Sequence, residues 1–142
     1  MGGLEALLAG KDPVRALRSI RQPIWAPPLW AWAIIGAAWY VICFVSLARL
    51  LPGSTITPWP MILLILLMVS NAAWGVIQFR AKRYDFGSWF LIPYAALTTA
   101  FLVTVRPIDP LSWFLFIVYA TYLPYAAAWA YSVWRLNPRS IS

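Results

Sequence analysis

The chain has 142 residues, of which 63% are apolar and 11% are charged, with a net charge of +7 and a mean hydropathy of +0.74. Soluble domains carry about a quarter charged residues, so this composition excludes an ordinary soluble domain and favours an integral membrane protein. There is no histidine and a single cysteine, Cys43. The residues needed for the usual metal sites, for thiol–disulfide chemistry and for histidine acid–base catalysis are therefore lacking. We expect that the protein binds no metal and is not an enzyme.

Residues 1–22 form a basic arm that lacks the apolar core of a secretory signal peptide. Asp12-Pro13 is a favourable helix start, with a capping acceptor followed by proline in the first turn. On the helix that follows, apolar and basic side chains lie on opposite sides: Val14, Ala16, Leu17 and Ile20 against Arg15 and Arg18. We predict a short amphipathic helix at the membrane surface, acting either as an interfacial anchor or as a docking helix for a partner.

The segment 23–30 joins this arm to the membrane. Pro27 and Pro28 lack backbone N–H donors and disfavour helix in the residues before them, so we predict an extended elbow. The elbow carries Trp25 and Trp30, and it sets the direction of the first membrane crossing.

Four apolar runs follow, at about 29–50, 59–79, 86–105 and 111–134. Each is near the ~20 residues that cross a ~30 Å hydrocarbon core, and none has an acid or a base in its interior. The predicted fold is therefore all-α: an integral membrane bundle of four transmembrane helices within residues 23–137, preceded by the amphipathic arm and followed by a tail at 138–142.

The basic residues predict the orientation of this bundle. One side would hold Lys11, Arg15, Arg18, Arg21, Arg80, Lys82, Arg83, Arg135 and Arg139. The other side would hold only Arg49 and Arg106, and this bias places both termini in the cytoplasm. We expect the protein to lie in the inner membrane of a bacterium. Because the basic residues lie at the ends of apolar spans, the net charge indicates topology rather than nucleic-acid binding.

Neutral polar and aromatic side chains gather near one depth of the predicted bundle, and they are the candidates for a site. They are Trp39, Tyr40, Asn71, Trp74, Tyr94, Tyr119, Tyr122 and Tyr125. An amide in hydrocarbon costs several kcal/mol unless it is satisfied, so Asn71 must face protein, water or ligand. Two interpretations stay open: an aromatic pocket for a flat apolar ligand, or hydrogen bonds that only hold the helices together.

Most of the tryptophans need no ligand, because they lie near span ends where an aromatic belt is expected. These are Trp25, Trp30, Trp32, Trp59, Trp89, Trp113 and Trp134.

The order of several short motifs resembles the TspO/MBR family, the tryptophan-rich sensory or translocator proteins. The matching pieces are Trp25-x-Pro27-Pro28 with Trp30 and Tyr40, then Asn71-x-x-Trp74 with Phe79 and Arg83, then Tyr119 and Arg135-Leu136-Asn137. The resemblance implies a helical bundle that binds a porphyrin, haem or other tetrapyrrole, a sterol or a lipid without a covalent link. It implies that Tyr40, Asn71 and Trp74 line the pocket and that Trp25 belongs to its cover. With the aromatic residues of the same depth, the predicted ligand-binding set is Trp25, Trp39, Tyr40, Asn71, Trp74, Tyr119 and Tyr122.

The chain also departs from the family pattern. The family has five transmembrane helices, and nothing before the elbow is apolar for long enough to be the first of them. Gly36 and Ala95 stand where the family usually has aromatic residues, and Tyr122 stands for a tryptophan. Two functions remain as hypotheses: a sensory or regulatory protein that binds a flat hydrophobic ligand, and a non-catalytic accessory subunit of a larger membrane complex, photosynthetic or respiratory. In either case we expect contact with the lipid bilayer and a homo-oligomer or larger complex.

Overall fold

The computed structural model describes residues 13–53 and 57–138. Within them the helices are α1 (Pro13–Ser19), α2 (Leu29–Leu50), α3 (Trp59–Gly75), α4 (Tyr84–Trp89), α5 (Leu91–Val105) and α6 (Pro110–Leu136). A short 3-10 helix covers Leu51–Gly53, and a π-helix, Val76–Arg80, extends α3. Four helical stretches are long and apolar enough to cross a membrane, namely Leu29–Leu50, Trp59–Arg80, Tyr84–Val105 and Pro110–Leu136. The prediction of an all-helical bundle with four membrane spans is confirmed.

The four spans form a closed ring in which each packs against two others. Helix α2 contacts α3 and α6, and α5 contacts the same two helices from the other side. The short α4 packs against α6 and against the π-helix. Because the connections are short, successive spans run antiparallel, as in other helical bundles.

Two local signals in the sequence explain the helix boundaries around the third and fourth spans. A proline clashes with the carbonyl four residues before it, and Pro93 accordingly follows a break at Phe90 that separates α4 from α5. Helix α6 begins with Pro110, after Asp109, whose carboxylate accepts a hydrogen bond from the backbone N–H of Ser112. This is an N-cap of the favoured type.

The main apolar core fills one half of the bundle. Its fully buried members include Leu64 and Leu67 from α3, Phe101 from α5 and Phe116 from α6. The rings of Phe101 and Phe116 lie 4.4 Å apart between centroids, which is close contact for an aromatic pair. These side chains are therefore packed closely against one another.

The arm docks on the other end of the bundle. Ile20 is buried against Trp129, Ala130 and Val133 of α6. The backbone N–H of Arg21 donates to Asn137 Oδ1 (3.0 Å), and Asn137 Nδ2 donates back to the Arg21 carbonyl (2.9 Å). The described end of the arm is thus fixed to α6 by apolar packing and a reciprocal pair of hydrogen bonds.

Arg15 and Arg18 are exposed on this short helix and Leu17 is half-buried. The predicted cap at Asp12 lies outside the described residues, and so do the side chains of Val14 and Ala16. The sequence predicts opposite apolar and basic sides for this segment. In the structure, the apolar residues Leu17 and Ile20 pack against the protein.

Candidate ligand-binding site

A cavity of about 150 Å³ lies between the spans, in the half of the bundle nearer the elbow. Its walls come from four elements, α2, α3, α5 and α6. Aromatic side chains dominate its lining, which consists of Trp32, Ile35, Gly36, Trp39, Asn71, Trp74, Leu91, Tyr94, Tyr119, Tyr122, Leu123, Ala126 and Trp129. It is only partly enclosed, so a ligand can reach it without unfolding a helix.

Trp39, Tyr94 and Tyr119 form the inner end of the cavity. The Trp39 and Tyr119 rings lie 4.4 Å apart between centroids, and the hydroxyls of Tyr94 and Tyr119 share a hydrogen bond of 2.9 Å. One of these two hydroxyls must donate to the other, so the pair keeps one proton for a third partner. The inner end therefore offers a flat aromatic surface with a single hydroxyl donor.

Three tryptophans form the outer end. Trp129 is fully buried, and its ring lies 4.7 Å from that of Trp32 and 6.3 Å from that of Trp74. Trp129 Nε1 donates to Gln22 Oε1 at 2.9 Å, and Trp74 Nε1 donates to the Gly87 carbonyl at 3.1 Å. Each of these two indoles presents only its ring to the cavity, because its N–H is already bonded.

Trp32 differs from its two neighbours. Its indole nitrogen is buried but has no hydrogen-bond partner among the described residues. A buried donor without an acceptor costs about 1–3 kcal/mol. Trp32 therefore lines the cavity and keeps a buried indole N–H without a described acceptor.

The structure brings five of the seven predicted site residues to this one cavity. They are Trp39, Asn71, Trp74, Tyr119 and Tyr122. Asn71 lies on α3 one turn before Trp74 and places its half-buried amide in the wall.

Tyr40 and Trp25 lie outside the cavity. Tyr40 lies in a shallow groove between α2 and α3, with Cys43 and Met68. Trp25 is half-exposed on the elbow, and its ring packs edge-on against Tyr125 at 5.5 Å. Tyr125 in turn lies 5.8 Å from Tyr122, so Trp25 is two rings removed from the cavity wall.

Sequence reasoning missed Trp32 and Trp129 as cavity residues. Trp32 was expected in the aromatic belt, because it lies near the start of a span. A usable signal was present, since Trp32, Gly36 and Trp39 follow one another at spacings of four and three and therefore share a face of α2. Trp129 follows Tyr122 and Ala126 at spacings of four and three and so shares their face of α6, but only the docked arm supplies its partner Gln22.

The lining suits a flat, largely apolar ligand with one or two acceptor atoms. Pockets for drug-sized ligands usually hold ~300–1,000 Å³, and a dry cavity of ~150 Å³ holds a molecule the size of benzene. The aromatic walls and the free donors therefore fit part of a tetrapyrrole or sterol, while the volume does not enclose such a molecule whole.

Comparisons with known proteins agree with this architecture. The TspO/MBR family matches residues 1–135. Protein CrtK of Rhodobacter capsulatus is 28% identical over 123 residues, which span 84% of this chain and 77% of that protein. With four membrane spans and an aromatic cavity between them, the chain belongs to the TspO/MBR family, as its tryptophan and proline motifs predict.

Proposed function

We propose that this integral membrane protein binds a flat hydrophobic ligand in the cavity between its spans and acts as a sensory or regulatory protein. The observation that carries the proposal is the cavity between the spans, which is walled by aromatic rings and includes Trp32, whose buried indole N–H has no acceptor among the described residues. Buried donors are retained without a partner only rarely, and ligand sites are one of the places where they occur.

Family membership directs the choice of ligand to tetrapyrroles, sterols and similar molecules. Because the cavity has the volume of a single ring, such a ligand would enter by one edge and leave the rest of its surface at the opening. The acceptor atom expected near Trp32 is common to the carboxylates and ring nitrogens of tetrapyrroles and to a sterol hydroxyl.

Binding without catalysis is part of the proposal. The cavity lining contains indole, phenol and amide groups, with no carboxylate, amine or thiol among the described residues that form it. Among the described lining residues, only the tyrosine phenols belong to the groups that commonly act as nucleophiles or acid–base catalysts.

Titration of the purified protein with protoporphyrin, followed by tryptophan quenching, tests the proposal. We expect saturable binding that weakens about ten-fold in Trp32→Phe, which keeps an aromatic ring but removes the N–H, and in Asn71→Leu. Trp89→Phe is the matched control, because Trp89 is exposed outside the cavity. Absence of saturable binding, or equal affinity in Trp32→Phe and the wild type, would disprove the proposed site.

A second candidate is a non-catalytic accessory subunit of a larger membrane complex. The shallow groove between α2 and α3, where Tyr40, Phe44 and Met68 lie, favours it, because an exposed apolar groove is a surface against which another membrane helix can pack. Purification in mild detergent with a native mass measurement tests it: a protein that leaves the membrane only as a single chain would count against this role.

We also propose that both termini lie in the cytoplasm of a bacterium, in its inner membrane. The excess of basic residues on the side of the termini supports this orientation. Labelling of a cysteine placed at Pro138 by a membrane-impermeant reagent, in intact and in opened cells, checks it. Labelling in intact spheroplasts would reverse the assignment.

A further inference from the structure

We propose that a groove beside the elbow is a binding site for the phosphate head group of an anionic bilayer phospholipid. The groove has a volume of about 550 Å³ and runs between the elbow and the last turns of α6. Its defining residues are Ile24 and Trp25 on one side and Tyr131, Ser132 and Arg135 on the other. It is separate from the ligand cavity, with which it shares no lining residue.

Arg135 supplies the charge. Its Nη1 donates to the Tyr131 hydroxyl at 3.3 Å, and its guanidinium carbon lies 6.0 Å from the centre of the same ring. Tyr131 therefore holds the side chain in place through one nitrogen, while the other donors of the guanidinium fork remain directed to the surroundings.

No carboxylate of the described residues neutralises this charge. The two acids among the described residues are Asp85 and Asp109, and they bond to Arg83 and Arg49 respectively. Arg135 is exposed and pairs with no carboxylate of the described residues, so its planar fork is open to an anion and matches a phosphate oxygen pair.

The apolar side of the groove indicates where that anion comes from. Ile24 is fully exposed at the tip of the elbow turn, and Trp25 is 48% exposed beside it. Both lie level with the end of the membrane-spanning helix α6, where Tyr131 and Trp134 pair edge-on at 5.9 Å in the position of an interfacial aromatic belt. A bilayer phospholipid supplies a phosphate for Arg135 and an acyl chain for Ile24 and Trp25 at this depth, whereas a soluble anion leaves the apolar side bare.

Lipid retention measured by native mass spectrometry tests the site with the full chain. The protein is reconstituted with equal amounts of phosphatidylglycerol and phosphatidylcholine of the same acyl chains, then released into detergent. We expect phosphatidylglycerol to be retained about five-fold better than phosphatidylcholine, which is the effect of one basic residue at a membrane surface. Equal retention of the two lipids by the wild type would overturn the proposal.

Two variants separate a defined site from general attraction to a basic surface. Arg135→Gln is expected to abolish the preference, and Arg80→Gln is expected to change it less than two-fold, because Arg80 is exposed at the same end of the bundle outside the groove. Equal losses in both variants, or no loss in Arg135→Gln, would contradict the site. An excess of inorganic phosphate should leave the retained lipid in place; displacement would assign the groove to a free anion instead.

Discussion

Arg49 and Asp109 form a bidentate ion pair that joins the last turn of α2 to the first turn of α6. Arg49 Nε lies 2.9 Å from each carboxylate oxygen, and Nη2 lies 2.6 Å from Oδ1. Asp109 is buried and also accepts from the backbone N–H of Ser112 at 3.1 Å. One carboxylate therefore caps α6 and fixes its position relative to α2 at the end of the bundle opposite the arm.

Protonation of Asp109 is expected to weaken this end of the bundle. The hydrogen bonds from Arg49, and then those from Ser112, outweigh burial and lower the pKa of Asp109 from 3.8 to about 2. Because the folded-state pKa is depressed, the stabilisation is present above pH ~4 and is lost as the pH falls towards 2. Thermal unfolding in detergent between pH 5 and about pH 2 should show a falling melting temperature over that window.

Asp109→Asn separates the ion pair from the helix cap. Asparagine is also a good N-cap, so the variant keeps one acceptor oxygen but loses the charge interaction with Arg49 and the hydrogen bonds to the second oxygen, on the order of 1–3 kcal/mol of unfolding free energy at neutral pH. Its melting temperature should then vary less than the wild type between pH 4 and about pH 2. An unchanged pH profile in the variant would assign the acid sensitivity to another group.

Gly87 and Gln78 are in contact, and this contact predicts a coupled pair of substitutions. A methyl group on Gly87 would overlap Gln78 Oε1, the end of a fully buried side chain in the π-helix, so this side chain would have to move within the packed interior. Gly87→Ala should therefore destabilise the protein by about 1–3 kcal/mol. In a Gln78→Ala background the same change should cost far less, and additive effects in this double-mutant cycle would contradict direct contact.

Substitution of Gln78 alone gives a further expectation. Both polar atoms of its side chain are buried without a partner among the described residues. Gln78→Met keeps the length of the side chain and removes the unsatisfied amide, so its melting temperature should equal or exceed that of the wild type. A clear loss of stability would show that the amide is satisfied in the membrane, by a water or by a bound molecule.

Gly36 offers a way to fill the cavity without disturbing a helix contact. Nothing lies within 4 Å of a Cβ atom placed on Gly36, which lines the cavity, and the same holds for Gly75, which does not. Gly36→Leu should reduce protoporphyrin affinity at least ten-fold by occupying the volume, while Gly75→Leu should leave it unchanged. Equal affinities in the two variants would place the ligand outside this cavity.

The reciprocal bonds between Arg21 and Asn137 predict that Asn137 controls the docking of the arm. Asn137→Ala removes two hydrogen bonds, each worth about 1 kcal/mol, so the arm should detach more often. Cleavage by trypsin after Arg18 and Arg21 should then be up to about thirty-fold faster in detergent, because cleavage follows the population of the open form. Ser132→Ala on the same helix is the control, and equal cleavage rates would show that the apolar packing of Ile20 and the Gln22–Trp129 bond hold the arm without Asn137.

The sequence by itself determined the class of protein and the number of its spans. An apolar run of about twenty residues without a charge has no stable place outside the hydrocarbon core, so composition and length were enough to predict the four helices. Local chemistry also explains the start of α6, because Pro110 lacks a backbone N–H and the carboxylate of Asp109 caps the helix.

Only the tertiary structure decided which side chains share the cavity. Helical periodicity gives the face of a residue on its own helix, but not the rotation of that helix against its neighbours, which depends on packing of the whole ring. For this reason Trp32, which was expected in the aromatic belt, lies in the cavity wall, and Tyr40, which was expected in the pocket, lies in a separate groove. The pairing of Trp129 with Gln22, separated by 107 residues in sequence, could not be predicted from local pattern, because it depends on where the docked arm meets the last helix.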